Sequence, residues 1–162
     1  MNFLLDVKLL LLLGVANGTP VIAHGIMGRL WARPLDGGLK LSDGQPLFGT
    51  SKTIRGVLLA LFFTTAFGFA IGLSWRTAFM FAAAAMVGDI SSSFIKRRMG
   101  LPASSMATGI DQIPESLLPL LVCATVLALS PLDIVAVVTC FVVGELLISR
   151  VLYRFNLRNR PY

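Results

Sequence analysis

The sequence predicts an all-α polytopic membrane protein with five transmembrane helices. Of its 162 residues, 56% are hydrophobic and only 14% are charged, and the mean hydropathy is +0.81. Because so little polar sequence cannot cover a water-soluble globule, the chain belongs in a bilayer. A helix needs about 20 apolar residues to cross the hydrocarbon core, so this length allows roughly four to six crossings. We expect one domain over residues 1–162, a multi-pass protein of the cell membrane.

Five apolar segments follow one another along the chain, at about residues 2–26, 54–73, 76–95, 114–130 and 132–151. The first lacks a basic n-region and a small-residue cleavage site, so we interpret it as a retained helix. Short turns join the second segment to the third and the fourth to the fifth, which makes each pair antiparallel neighbours. The fourth segment has the least regular pattern, because Pro114 and Pro119 lie in its first turns.

The basic residues indicate how the helices are oriented. With five crossings, 12 of the 14 lysines and arginines fall on one side of the membrane. They are Arg29, Arg33, Lys40, Lys52, Arg55, Lys96, Arg97, Arg98, Arg150, Arg154, Arg158 and Arg160. The positive-inside rule makes that side cytoplasmic, with the N-terminus outside and the C-terminus in the cytoplasm. The two long connections, 27–53 and 96–113, hold most of the charges, and we expect function there.

Small residues predict where helices approach closely. Gly14 with Gly18, and Gly68 with Gly72, have the GxxxG spacing that is typical of packed membrane helices. Cys123 and Cys140 lie inside apolar runs, and we expect both to be buried packing residues.

Asp89 lies near the cytoplasmic end of an otherwise apolar helix, where an ionisable group is costly without a partner. On a helix, Asp89 shares one face with Ser92, Ser93 and Lys96. A simple pair with Lys96 would also explain this pattern. A second carboxylate in the next loop, Asp111, favours a magnesium site, because Mg²⁺ is usually held by one or two carboxylates together with substrate phosphates.

The first long connection ends in Phe48-Gly49-Thr50-Ser51-Lys52-Thr53-Ile54-Arg55-Gly56. Ser51 or Thr53 can cap the following helix, whose free N–H groups suit a phosphate with Lys52 and Arg55 nearby. The segment is not a Walker A loop, since no lysine follows its glycine. An ordinary capped helix start remains an alternative.

Three segments together resemble a known family. FGTSKTIRG at 48–56, GDISSSFIKRR at 88–98 and GIDQ at 109–112 resemble the CTP-dependent phosphatidate cytidylyltransferases over roughly residues 43–116. The chain departs from the bacterial and eukaryotic pattern, because it lacks the Gly-His-Gly-Gly before the second aspartate and has Gln112 after it. The short length, LPASS at 101–105 and ANGTPVIA at 16–23 look like the archaeal branch, the CDP-archaeol synthases.

The resemblance implies that a cytidylyl group passes from CTP to 2,3-di-O-geranylgeranylglyceryl phosphate on the cytoplasmic face, with Asp89 and Asp111 as ligands of Mg²⁺ and room for a second cation such as K⁺. No nucleic acid partner is expected. Catalytic roles fall to Asp89, Asp111, Lys96 and Lys52. We expect substrate-binding roles for Ser51, Thr53, Arg55, Ser92, Ser93, Arg97, Arg98, Asn17 and Asp43. Asn17 and Thr19 are expected to interrupt the first helix near the cytoplasmic boundary, where they either face the site or form a plain helix break.

Other classes of protein stay open from the residues alone. A small transporter or channel could also place Asp89 and Glu145 within the membrane, although its charges should line both membrane halves. A membrane scaffold would not need two carboxylates beside basic loops. A CDP-alcohol phosphotransferase should carry several aspartates in a DGxxAR-type pattern, which this sequence lacks.

Overall fold

A computed structural model describes residues 2–105 and 107–154, with side chains described as far as Arg150. The described chain forms five helices: α1 Phe3–Met27, α2 Ile54–Ala70, α3 Trp75–Arg98, α4 Gln112–Cys123 and α5 Pro131–Arg154. Two isolated bridges, Pro34 with Thr53 and Lys40 with Pro46, are the only β-type pairings in this part of the chain. The all-helical class and the five helices are confirmed. Arg158 and Arg160 lie outside the described residues.

Three helices are long and apolar enough to cross a membrane: α1, α3 and residues 131–150 of α5. At 1.5 Å per residue, α2 with 17 residues and α4 with 12 extend about 25 and 18 Å, which is less than the roughly 30 Å of hydrocarbon. A count of five crossings therefore stays a prediction. Helix α4 ends earlier than predicted because the backbone turns after Cys123 and Ala128 adopts a φ of 50°.

Helix α1 is continuous through the segment where a break was expected. The amide of Asn17 donates to the carbonyl of Leu13 at 3.1 Å, and the hydroxyl of Thr19 donates to Val15 at 2.6 Å. Both side chains therefore bond to their own helix, which continues through Pro20 although proline has no N–H to donate. The predicted interruption is wrong.

The core forms where α1 meets the other helices. Leu9, Leu12 and Leu13 of α1 are fully buried against Phe81 of α3, and this cluster continues into α4 and α5 through Leu120, Cys123, Val137 and Phe141. Cys123 is buried as predicted, whereas Cys140 is exposed and that prediction is wrong. The side chain of Cys140 faces outward from the helix bundle.

Of the four glycines in the two GxxxG pairs, only Gly68 packs closely against another helix. A Cβ added to Gly68 would lie 2.6 Å from the Cβ of Ala78, so α2 and α3 touch there. At Gly14 and Gly18 an added Cβ would meet nothing within 4 Å, so close packing at this pair is wrong. Gly72 serves a turn instead, with a φ of 94° between α2 and α3.

The two long connections meet at one end of the bundle, as the charge pattern predicted. Arg98 at the end of α3 donates to the carboxylate of Asp43 and, at 2.6 Å, to the carbonyl of Pro46. The short turns lie at the opposite end, where Lys8 of α1 approaches Gly72. We call the first end the loop end.

Helix α4 begins well below the loop end of α3. Gly88 touches its first turn, because an added Cβ would lie 2.6 Å from the carbonyl carbon of Pro114 and 2.7 Å from the Cα of Glu115. Gly88 precedes Arg98 by ten residues, which is about 15 Å along a helix. The connection 99–111 therefore folds back into the bundle, and its polar residues lie below the helix end.

Candidate active site

Asp89 and Lys52 form an ion pair between α3 and the residue that precedes the cap of α2. The ammonium of Lys52 lies 2.5 Å from Oδ1 of Asp89, and the two side chains are 20% and 18% exposed. Thr53 holds Lys52 in place because its hydroxyl accepts the N–H of Gly56 at 3.1 Å and caps α2. The partner of Asp89 is thus Lys52, and the alternative pair with Lys96 is not formed.

Lys96 pairs instead with the second predicted carboxylate. Its ammonium lies 2.6 Å from Oδ1 of Asp111 and donates to the carbonyl of Ser105 at 2.7 Å. The other oxygen of Asp111 accepts the N–H of Ala107 at 2.8 Å. These bonds fix the folded-back connection against α3. Asp111 therefore lies directly before α4, and Asp89 follows Gly88 at the contact between α3 and the first turn of α4.

Arg97 and Arg98 join the loops at the end of α3. Arg97 is 2% exposed and donates to the carbonyl of Pro102 at 2.7 Å. Arg98 bonds Asp43 and lies over the ring of Phe94 at 5.3 Å. In this structure the two guanidinium groups and Asp43 hold the connections together.

The predicted hydroxyl groups occupy different surroundings. Ser92 and Ser93 are buried on the Asp89 side of α3, and Ser92 donates to the carbonyl of Asp89 at 2.8 Å. Thr53 uses its hydroxyl as the helix cap, whereas Ser51 is exposed.

Asn17 and Arg55 make their hydrogen bonds away from the Asp89 pair. Asn17 bonds only to its own helix. Arg55 donates to the carbonyls of Leu30 and Gly28, which fastens the start of the first connection to α2. Their roles in substrate binding stay predictions.

Asp36 organises the first connection. One oxygen accepts the N–H groups of Phe48 and Gly49, each at 2.9 Å, and the other accepts the N–H of Gly38. Burial alone would raise the pKa of this carboxyl. The hydrogen bonds from the backbone N–H groups together lower the pKa by more than burial raises it, so the pKa lies below its ordinary 3.8. In the sequence, the two glycines after Asp36 indicate a turn and therefore the bond to Gly38. No local pattern indicates the bonds to Phe48 and Gly49.

Glu115 is a second carboxylate that sequence reasoning missed. It lies in the first turn of α4 and is 5% exposed. The charges of Asp89, Glu145, Lys52 and Asp111 all act on it. An available signal was its position four residues after Asp111 at the start of an apolar helix, a spacing that places two side chains on one face.

The donor set suits a hard cation. Among the described residues, no group of three or more His, Cys, Asp or Glu side chains is arranged to hold a metal ion. Two carboxylates are sufficient for Mg²⁺ when phosphates and water complete its shell, and Asp89 and Asp111 offer oxygen atoms beside two lysines. The residues present therefore fit magnesium bound together with a polyphosphate.

Comparison with known proteins identifies the family. The family model described as CarS-like, CDP-archaeol synthase, matches residues 63–162. The CDP-archaeol synthase of Pyrobaculum calidifontis is 34% identical over 154 residues, with 91% of each chain covered. That of Saccharolobus islandicus is 36% identical, with 69% of this chain and 67% of the relative covered.

A solved structure of an intramembrane enzyme for archaeal membrane lipids biosynthesis is also similar, with a TM-score of 0.78 and 31% identity. The match covers 91% of this chain and 94% of that one. The chain therefore belongs to the CDP-archaeol synthase family. It is a membrane-embedded nucleotidyltransferase of archaeal lipid synthesis, which decides against a transporter or channel.

Proposed function

We propose that this chain transfers the cytidylyl group of CTP to the phosphate of 2,3-di-O-geranylgeranylglyceryl phosphate, giving a CDP-linked archaeol-type lipid and pyrophosphate. The observation that carries the proposal is the pairing of two carboxylates with two lysines, Asp89 with Lys52 and Asp111 with Lys96, across three segments of the chain. The family membership supports the reaction class.

Asp89 and Asp111 would hold Mg²⁺, and a second cation such as K⁺ belongs to the same hypothesis. When bound, the metal neutralises charge on the triphosphate and makes the α-phosphorus more electrophilic. Each carboxylate is already oriented by a lysine and, for Asp111, by a backbone N–H. Preorganised ligands of this kind need little rearrangement when substrate arrives.

The chain's own residues would act by positioning and by charge. One oxygen of the lipid phosphate attacks the α-phosphorus of CTP, the bond from that phosphorus to the bridging oxygen of the β-phosphate breaks, and pyrophosphate leaves with the electron pair. Lys52 and Lys96 can turn from their carboxylates to the phosphates, because a lysine ammonium is a mobile point charge with three donors. Arg97 and Arg98 add positive charge at the loop end.

No general base is required of the protein. A phosphate monoester has its second pKa near 6, so at pH 7 most of the acceptor is already the dianion that attacks. The site therefore has to bring two anions together, a task for cations and for Ser51, Thr53 and Ser93 as hydrogen-bond donors. Ser92 would join them by exchanging its bond to the carbonyl of Asp89 for one to a phosphate. Asp43 and Asn17 would help to hold the nucleotide.

The recessed position of the site suits one water-soluble and one membrane-bound substrate. Asp89 lies about 13 Å below the end of α3, counted at 1.5 Å per residue. With the loop end in the cytoplasm, CTP would enter between the connections while the acceptor phosphate descends only a short way from its own headgroup depth. CTP would remain in contact with water, and the chains of the acceptor lipid would remain in the bilayer.

The direct test is an assay of the purified protein in detergent with labelled CTP and Mg²⁺. We expect labelled CDP-lipid with the ether-linked geranylgeranyl acceptor and less with phosphatidate. Absence of a CDP-lipid from both acceptors would refute the reaction. Product from CTP but not from other nucleoside triphosphates would establish the base preference.

A further inference from the structure

An apolar groove runs along the surface between α1 and α2, in the half of the bundle nearest the loop end. Its cavity volume of about 510 Å³ falls within the usual range for small-ligand sites, about 300 to 1,000 Å³. It extends from Gly14 to Met27 on α1, which is about 20 Å along the helix. Leu59 and Phe63 of α2 form the opposite wall.

The groove stays open where α1 carries glycines among its larger apolar residues. An added Cβ at Gly14 or Gly18 meets nothing within 4 Å, so these glycines leave space instead of packing helices. Thr19 donates its hydroxyl to Val15, and its methyl group is left for the groove. Ile22 is 62% exposed and Phe63 49%, so the groove faces the bilayer.

Arg55 lies on the face of α2 that lines this groove. It precedes Leu59 by four residues and Phe63 by eight, which places the three on one side of the helix. Arg55 is 8% exposed, its terminal nitrogens donate to neutral carbonyl oxygens, and its buried Nε has no hydrogen-bond partner in the described chain. Both partners are neutral, and no carboxylate of the described residues forms an ion pair with this arginine, whose carbonyl partners come shortly after the last groove residue of α1.

We propose that the groove between α1 and α2 binds one isoprenoid chain of the acceptor lipid, with the phosphate-bearing end of that lipid beside Arg55. This inference rests on the proposed function. Lys52 lies three residues before Arg55, so a lipid whose chain occupies the groove would present its phosphate to the Lys52–Asp89 pair. Both the apolar lining and the cation match a lipid phosphate.

Filling the groove tests this assignment. Gly18→Leu places a side chain in the empty space, while Gly144→Leu makes the same change on α5, where an added Cβ also meets nothing within 4 Å. We expect Gly18→Leu to raise KM for the digeranylgeranyl acceptor by about threefold to tenfold, equivalent to about 0.7 to 1.4 kcal/mol. KM for CTP, and KM for an analogue with two single-isoprene chains, should stay unchanged. Gly144→Leu should change none of the three.

The outcomes separate this inference from the proposed reaction. A wild-type protein without turnover refutes the reaction itself. Turnover with the same long-chain KM in Gly18→Leu and Gly144→Leu overturns the groove assignment, as does an equal rise of KM for the short-chain analogue, which would point to a bound structural lipid or a local distortion. If Gly18→Leu does not fold, Ile22→Trp fills the groove from an exposed position and decides between the same results.

Discussion

The contact between Gly88 and the start of α4 gives the sharpest prediction. In Gly88→Ala the new methyl carbon would lie 2.6 Å from the carbonyl carbon of Pro114 and 2.7 Å from the Cα of Glu115. Both are backbone atoms, so no side-chain rotation relieves the overlap. To reach an ordinary carbon–carbon separation of about 3.5 to 4 Å, the start of α4 must retreat by roughly 1 Å.

That displacement moves Asp111 and Glu115 away from Asp89. Overpacking costs about 1 to 3 kcal/mol, against a gain of about 1 kcal/mol for replacing a helical glycine by alanine, so stability falls by up to about 2 kcal/mol. A misplacement of about 1 Å in a catalytic site can lower turnover by about a hundredfold. We therefore expect kcat to fall far more than stability.

The assay is kcat with labelled CTP, together with the thermal midpoint of unfolding in the same detergent. Gly144→Ala is the matched control, because an added Cβ at that position meets nothing within 4 Å, and it should keep full activity and be as stable as wild type or more so. Wild-type kcat in Gly88→Ala would show that the start of α4 does not set the site geometry and would refute this reasoning.

Two further predictions concern charged residues. Lys52→Met leaves Asp89 without its partner and should cost on the order of 2 kcal/mol of stability; adding Asp89→Asn should restore part of it, and strict additivity in the double-mutant cycle would contradict the pair. Asp36→Ala should raise KM for CTP and cost on the order of 2 kcal/mol, because three backbone N–H groups lose their acceptor. Since the folded pKa of Asp36 lies below its ordinary value, its contribution is present above about pH 4 and is lost as the pH falls further. Melting curves against pH should show this loss in wild type and not in Asp36→Asn.

Much of the fold could be predicted because membrane helices are recognisable in a sequence from their length and hydrophobicity. The predicted segments at 2–26, 54–73 and 76–95 match α1, α2 and α3 to within three residues. The ends of α4 were harder to predict. Its prolines interrupt the helical pattern of the sequence, and the turn after Cys123 ends the helix within an apolar segment. Its recessed start depends on the contact at Gly88, which no local pattern reveals.

The candidate site was predictable in its residues and less so in its contacts. Asp89, Lys96 and Asp111 were identified because polar groups in an apolar context need partners. The partner of Asp89 is 37 residues away in the chain, whereas helical spacing offered only Lys96 as an alternative partner. The Gly14 and Gly18 pair shows the same limit, because spacing alone does not distinguish glycines that pack from glycines that leave a groove.

The central claim is that Asp89 and Asp111 form one metal-dependent transfer site. Its most direct test is the Mg²⁺-dependent rate of CDP-lipid formation in Asp89→Asn and Asp111→Asn, with Asp133→Asn at the opposite end of the bundle as the control. We predict that either site variant stays folded, with a melting temperature lowered only by the loss of one ion pair, yet loses turnover by about a thousandfold or more, and that the control remains active. Near-normal turnover in either site variant would contradict the claim.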